Sequence, residues 1–204
     1  MGIYLVRHGK DEDGFRGGWS QRGLTKEGIE QSKKLGEYLK KNYKELSINR
    51  VISSDLKRAT ETAACIANLL QLPIEKSEDW RETNNGYLAG MLNDEADQKY
   101  PGLYFDSLRM DESYPGGESP EDNFNRIQKV LDEVLKNQTN IKHNENLLIV
   151  THGGVINIIY HILKGIEWTN KNKPFPTSHT SLHKIEFVKD EWEITQENLV
   201  QHLI

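Results

Sequence analysis

Two periodicities divide the 204-residue chain. Short apolar runs at Ile3-Tyr4-Leu5-Val6, Val51-Ile52-Ser53 and Leu147-Leu148-Ile149-Val150 read as buried strands, because an uninterrupted run of four or so aliphatic or aromatic residues suits a strand covered on both faces. Between them apolar positions recur at three and four. Thr25 reads as an N-cap with Glu27 in the first turn, followed by Ile29, Ser32, Leu35, Gly36, Leu39 and Tyr43 on one face. Ser54 or Asp55 then caps a helix whose inner face is Leu56, Ala59, Ala63, Ala67 and Leu70, and the small alanines predict close packing against a sheet. Pro73 closes this segment and Ile74 to Ser77 reads as a weak strand. Later helices carry Phe124, Ile127, Leu131 and Val134, and Val155, Ile158, Ile159 and Ile162. The first of these starts at Ser119-Pro120-Glu121-Asp122, with a cap, a proline at the first helical position and two acids. Ser181 to Phe187 and Trp192 to Ile194 predict a terminal hairpin turning at Lys189-Asp190.

Residues 83 to 118 break both patterns. Asn84-Asn85-Gly86, Gly90, Pro101-Gly102 and Pro115-Gly116-Gly117 punctuate them, with one short helix predicted near Asp94 to Tyr100. The segment reads as an excursion over one face of the sheet, and loops this long inside a compact domain are usually functional. The order strand–helix–strand–helix–excursion–helix–strand–helix–strands, without repeats or linkers, predicts one α/β domain over residues 1 to 204 with a mainly parallel sheet.

Composition narrows the function. A net charge of −5 argues against a nucleic-acid binder, which would be basic. It leaves room for a locally basic site that takes a small anion. Cys65 is the single cysteine and lies in a predicted helix, so it reads as a small buried residue, and the fold does not depend on a disulfide. No apolar run approaches the ~20 residues that span a bilayer, and the chain enters a strand at once without a signal-peptide pattern, so a cytoplasmic protein is expected.

The chemistry gathers where strands end. Val6-Arg7-His8-Gly9 and Val150-Thr151-His152-Gly153 close two strands alike. Parallel strands present their C-terminal ends on one edge, where open α/β sheets bind ligands. If the two strands are neighbours, His8 and His152 face each other there. Arg58, in the first turn after the second strand, joins Arg7 at the same edge. Arginine forks and helix N-termini both favour phosphate. Glu82 stands just before the excursion. Two histidines and a glutamate could instead hold a metal, but the adjacent arginines would repel a cation, which favours an anion site. His143, His161, His179, His183 and His202 have no comparable setting and read as structural.

Together these residues resemble the histidine phosphatase superfamily, also called phosphoglycerate-mutase-like, over most of the chain. Arg7-His8-Gly9 resembles its first signature. Gly17-Gly18-Trp19 and Leu24-Thr25-Lys26-Glu27-Gly28 resemble its substrate loop and first helix. Ser53 to Thr62 resembles its second motif, with Arg58 as the phosphate-binding arginine. Glu82 matches its proton donor, Pro115-Gly116-Gly117-Glu118-Ser119 the run before its penultimate helix, and Thr151-His152-Gly153-Gly154 its second histidine. Two departures stand out. Lys10-Asp11-Glu12-Asp13-Gly14 lacks the asparagine that helps hold phosphate in the family, which assigns Arg16 to that contact. Leu88-Ala89-Gly90 stands where Trp-Glu-Gly is usual.

The resemblance implies a three-layer α/β/α sandwich. It also implies a metal-independent phosphoric monoester hydrolase of the histidine acid phosphatase type, with no cofactor, acting on a small phosphorylated metabolite as a monomer or homodimer. His8 would attack phosphorus, with its other ring nitrogen donating to a backbone carbonyl near Gly9. Arg7, Arg58, His152 and a backbone N–H near Gly153 would neutralise the phosphoryl oxygens as a cationic set. Glu82 would protonate the leaving oxygen and then deprotonate water. Gly17, Gly18 and Arg16 would line the substrate loop. The alternative is a 2,3-bisphosphoglycerate-dependent phosphoglycerate mutase. Against it, the excursion has only Lys99 and Arg109 as cations beside seven acids. A phosphoprotein-binding module would have no use for a proton donor.

Overall fold

The computed structural model describes residues 2–140 and 145–204; His143 lies outside them. Six strands form one sheet in the order β3-β2-β4-β1-β5-β6. They are β1 (Gly2–Arg7), β2 (Ile48–Ser54), β3 (Ile74–Ser77), β4 (Asn146–Thr151), β5 (Leu182–Val188) and β6 (Glu191–Leu199). The first four are parallel; β5 pairs antiparallel with β1, and β6 antiparallel with β5.

Alternation along the central strands decides which helices cover which face. Ile3, Leu5, Leu147 and Ile149 point to the side covered by α5 (Pro120–Asn140) and α6 (Gly153–Leu163). Tyr4, Val6, Leu148 and Val150 point to the side covered by α1 (Lys26–Lys41) and α3 (Lys57–Leu70). The result is the expected three-layer α/β/α arrangement. Each such fully buried aliphatic side chain contributes about 1.5–3 kcal/mol. The excursion has a smaller cluster of its own, Leu88, Ala96, Leu108 and Tyr114, around the short helix α4 (Asn93–Lys99).

Several boundaries differ from the sequence reading for physical reasons. α1 is capped by Thr25, which accepts from the Gly28 N–H, but its buried stripe is Gly28, Ser32, Leu35, Gly36 and Leu39. Ile29 is 36% exposed, and Tyr43 opens a separate short helix, α2 (Tyr43–Leu46). α1 runs so close to α3 that Gly36 backs onto Leu69 and the Cys65 carbonyl. Small residues, Gly28, Ser32 and Gly36, therefore share its inner face with Leu35 and Leu39. α3 has Leu56 at its N-cap, with no side-chain cap, because both proposed caps have other partners. Asp55 binds Arg81 in a two-pronged pair, and the Ser54 hydroxyl bonds His152. The turn at Lys189-Asp190 is left-handed at both residues, as a tight hairpin requires, but β6 extends well past Ile194.

Candidate active site

β1 and β4 are adjacent and in register, with Arg7 opposite Thr151. Their ends bring the His8 and His152 rings to 5.1 Å between centroids. Gly9 follows at a place where a Cβ would come within 2.5 Å of the Gly28 carbonyl oxygen, so only glycine lets the chain pass under α1. The Gly9 carbonyl lies 2.8 Å from His8 Nδ1. A carbonyl can only accept, so Nδ1 carries the proton and Nε2 keeps its lone pair. Arg58 Nε donates to that Nε2 at 3.2 Å. The Arg58 fork is anchored by the Ser20 and Gly18 carbonyls at 3.1 and 2.8 Å, and Arg58 is only 2% exposed. Asp11 is 3.6 Å from the same guanidinium.

Burial is the first cause that holds His8 well below its ordinary pKa, followed by the Arg58 and Arg7 charges. His152 is held well below its ordinary value by burial first, then by Arg58 and His8. Both rings are therefore neutral in the free protein. Without a bound anion, the permanent positive charges beside these rings are Arg7 and Arg58. His152 Nε2 contacts the Ser54 hydroxyl at 2.8 Å, while its Nδ1 is buried without a partner among the described residues. Arg7 Nε is likewise buried and unpaired; its NH1 and NH2 donate to the Thr177 carbonyl at 2.6 Å and to His179 Nε2 at 3.0 Å.

Glu82 is pinned from three sides. Its carboxylate accepts the Thr83 and Gly154 N–H groups, each at 3.0 Å. A Cβ on Gly154 would come within 2.3 Å of that carboxylate, which explains the second glycine of the motif. The Glu82 carbonyl accepts from Trp19 Nε1 and from Arg126. Arg126 also holds the Asp79 and Arg81 carbonyls and pairs with Glu118 at 2.7 Å. Arg7, His8, Glu82 and Gly153 share one cavity of about 680 Å³. Gly153 opens α6, and its N–H is among those left without an intrahelical carbonyl.

Other expectations land elsewhere. Arg16 is held by Asp97 at 2.5 Å and by the Tyr104 ring, and with Gly17 and Gly18 it lines an adjoining cavity that touches Glu82. Its guanidinium is engaged by Asp97 and Tyr104, and it does not line the cavity that holds His8. Gly17 contributes no contact to the histidines, and Gly18 acts through its carbonyl. His179, read as structural, stands 5.9 Å from His8. The far part of the cavity comes from Phe105 and Asp106 and from residues 168–174, a stretch that the sequence reading left without a role. Asn170 ties these two loops, donating to the Phe105 and Leu108 carbonyls at 2.5 and 2.9 Å. The excursion's cations are occupied: Lys99 pairs with Glu95 and Arg109 with Asp111, each at 2.6 Å. Among the described residues no group of three or more His, Cys, Asp or Glu is placed to hold a metal ion, and no helix is long and apolar enough to cross a membrane.

The chain is 30% identical over 204 residues to an uncharacterized phosphatase, PhoE, of Bacillus subtilis, covering 98% of this chain and 96% of that one. It is 31% identical to a 2,3-bisphosphoglycerate-dependent phosphoglycerate mutase of Cytophaga hutchinsonii, covering 79% and 77%. The solved structure of Bacillus stearothermophilus YhfR superposes with a TM-score of 0.83 at 24% identity, covering 100% of this chain and 99% of that one. The family model of the histidine phosphatase superfamily, branch 1, matches residues 3–200, and the chain belongs to that superfamily.

Proposed function

We propose that the protein is a metal-independent phosphomonoesterase that hydrolyses a small phosphorylated metabolite through a phosphohistidine on His8. The observation that carries this reading is the tautomer of His8: its protonated Nδ1 faces the Gly9 carbonyl, and its Nε2 lone pair lies among Arg58, Arg7 and His152. Burial disfavours a proton on that nitrogen, and the Arg58 N–H that it accepts would pass to the phosphoryl group on attack.

In the first step the Nε2 lone pair forms the N–P bond as the ester P–O bond breaks. Glu82 donates its proton to the departing alkoxide. Arg7 Nε and His152 Nδ1, both without partners among the described residues, would donate to phosphoryl oxygens, with Arg58 and the Gly153 N–H beside them. These preorganised donors supply the charge stabilisation that metal ions give in other phosphoryl transfers. In the second step the Glu82 carboxylate takes a proton from water. The water oxygen bonds phosphorus, the N–P bond breaks, and its electron pair returns to Nε2.

Hydrolysis is favoured over mutase chemistry by the charges available to the cavity. A mutase must retain a second, densely anionic group while the intermediate reorients. Lys99 and Arg109 are paired with acids outside the cavity, and Lys171 shares the cavity lining with Asp106. The deciding experiment compares phosphate release from a panel of phosphorylated metabolites with isomerisation of 3-phosphoglycerate, with and without 2,3-bisphosphoglycerate. Phosphate release is expected to dominate; isomerisation faster than any phosphate release would overturn the choice.

A further inference from the structure

The part of the cavity beyond the phosphate end is long, and one face of α6 forms its floor. Gly153 and Gly154, then Asn157 and Ile158, then His161 succeed one another at the spacing of helical turns. Eight residues of α helix rise about 12 Å, so His161 lies that far from the N-terminus where the phosphate would sit. A three-carbon ester would reach only the first of these turns.

His161 is itself unusual. It is 3% exposed, yet it lines the cavity. Its Nδ1 lies 2.8 Å from the Asn157 carbonyl, one turn back, so Nδ1 carries the proton. Nε2 is thereby an acceptor, and it has no hydrogen-bond partner among the described residues. That nitrogen is not among the buried unpaired atoms: it opens into the cavity, where the donor of a bound molecule can reach it. The other polar groups along the floor are already engaged. The Asn157 amide bonds the Gly153 carbonyl and the Phe175 N–H, and Asn123 bonds Thr83 and Arg126.

The walls over this floor are aromatic. Phe105 and Trp168 stand 6.3 Å apart between centroids, and Trp168 is steadied by stacking on Phe124 at 5.4 Å. Aromatic faces of this kind favour a flat ring. At the rim Asp106 and Lys171 are opposite in sign, so the outer cavity asks for no net charge on the substrate.

We infer that the site takes monophosphate esters of an extended, uncharged alcohol that carries a flat ring and, at its far end, a hydrogen-bond donor for His161 Nε2. This rests on the phosphatase reading above and adds the class of leaving group. His161 would be a specificity residue that never touches the reacting atoms.

Three esters test it with the whole protein: glycerol 3-phosphate, 2-phenylethyl phosphate and 2-(4-hydroxyphenyl)ethyl phosphate. The wild type should show kcat/KM rising in that order, with about a tenfold step from the hydroxyl alone, as one hydrogen bond supplies. His161→Leu should bring the ratio between the two ring esters down to about one. His161→Gln, which keeps an acceptor in its amide oxygen, should restore part of it. Thermal unfolding of each variant separates misfolding from lost recognition, and the Gln variant decides if the Leu variant does not fold. Release of phosphate from all three esters with no preference for the ring or the hydroxyl would overturn the substrate class and leave the phosphatase reading standing. A hydroxyl preference that survives in His161→Leu would overturn the role of His161. Failure to release phosphate from any of them, or from p-nitrophenyl phosphate, would overturn both readings together.

Discussion

The two ends of the cavity are built differently. At the phosphate end, Arg7, His8, His152 and Gly153 sit on strand termini or a helix start, and each position follows from sheet register. Arg58 and both histidines there are under one-tenth exposed; backbone carbonyls orient His8 and Arg58, and the Ser54 hydroxyl orients His152. At the leaving-group end, Phe105 and Trp168 are half-buried side chains on two loops clasped by Asn170. The first end belongs to the scaffold and can hold one chemistry with little variation. The second belongs to connections, which can change without disturbing the sheet. On the proposed reading, reaction type and substrate choice reside in physically separate parts of the molecule.

Glu82→Gln breaks the phosphate end alone and should have the largest effect of these tests. Turnover of alkyl phosphates should fall by roughly 10²–10⁴-fold, the range for a lost general acid. An activated aryl phosphate, whose leaving group needs little protonation, should suffer far less. Equal losses on both would make Glu82 a binding residue.

Acid tests whether the scaffold, rather than the loops, carries the stability. Among the described residues burial lowers five histidines, His8, His152, His179, His183 and His202, with His183 and His202 at about 4. The unfolded chain takes up protons on these rings below about 6.5, while folded His183 and His202 resist until about 4. Stability is therefore full above 6.5 and falls as pH drops through that window, by about 1.4 kcal/mol per pH unit for each ring. Urea unfolding at pH 7.5, 6 and 5 should show a monotonic loss of the whole cooperative transition. Stability that is flat or rises towards pH 5 would contradict the burial argument.

Asn170→Ala should have the smallest effect and act on the other end. Removing the clasp between Phe105, Leu108 and the 168–174 loop should raise KM for ring-bearing esters a few-fold and leave kcat nearly intact, since uniform binding is what is lost. A fall in kcat with KM unchanged would mean that the roof also positions the reacting groups.

The same division explains what was legible in the sequence. Repetition made the phosphate end readable: two buried runs each end in a polar residue, histidine and glycine, and parallel pairing does the rest. His179 was hidden because it lies in a proline-rich connection with no period of its own. A signal for it existed, since β5 runs antiparallel to β1 and so begins at the edge where β1 ends. Pairing the terminal hairpin with the first strand would have carried residues 177–181 to the site, where Thr180 donates its N–H to the Arg7 carbonyl. Ser54 was misread as a helix cap because its partner, His152, is 98 residues away. Phe105 and Trp168 belong to segments whose apolar residues follow no repeat, so nothing local joins them. His161 sits on the same stripe of α6 as Gly153, but only the cavity reveals which stripe faces substrate.

The central claim is that His8 Nε2 is the group that takes the phosphoryl unit. Rapid acid-free quenching of the enzyme with a radiolabelled phosphate ester, followed by peptide mapping, addresses it most directly. The label should appear on the peptide containing His8, survive alkali, disappear in acid and be absent from His8→Ala, which should also have lost essentially all turnover. Wild-type turnover in His8→Ala, or a label that persists in acid on another residue, would contradict the account.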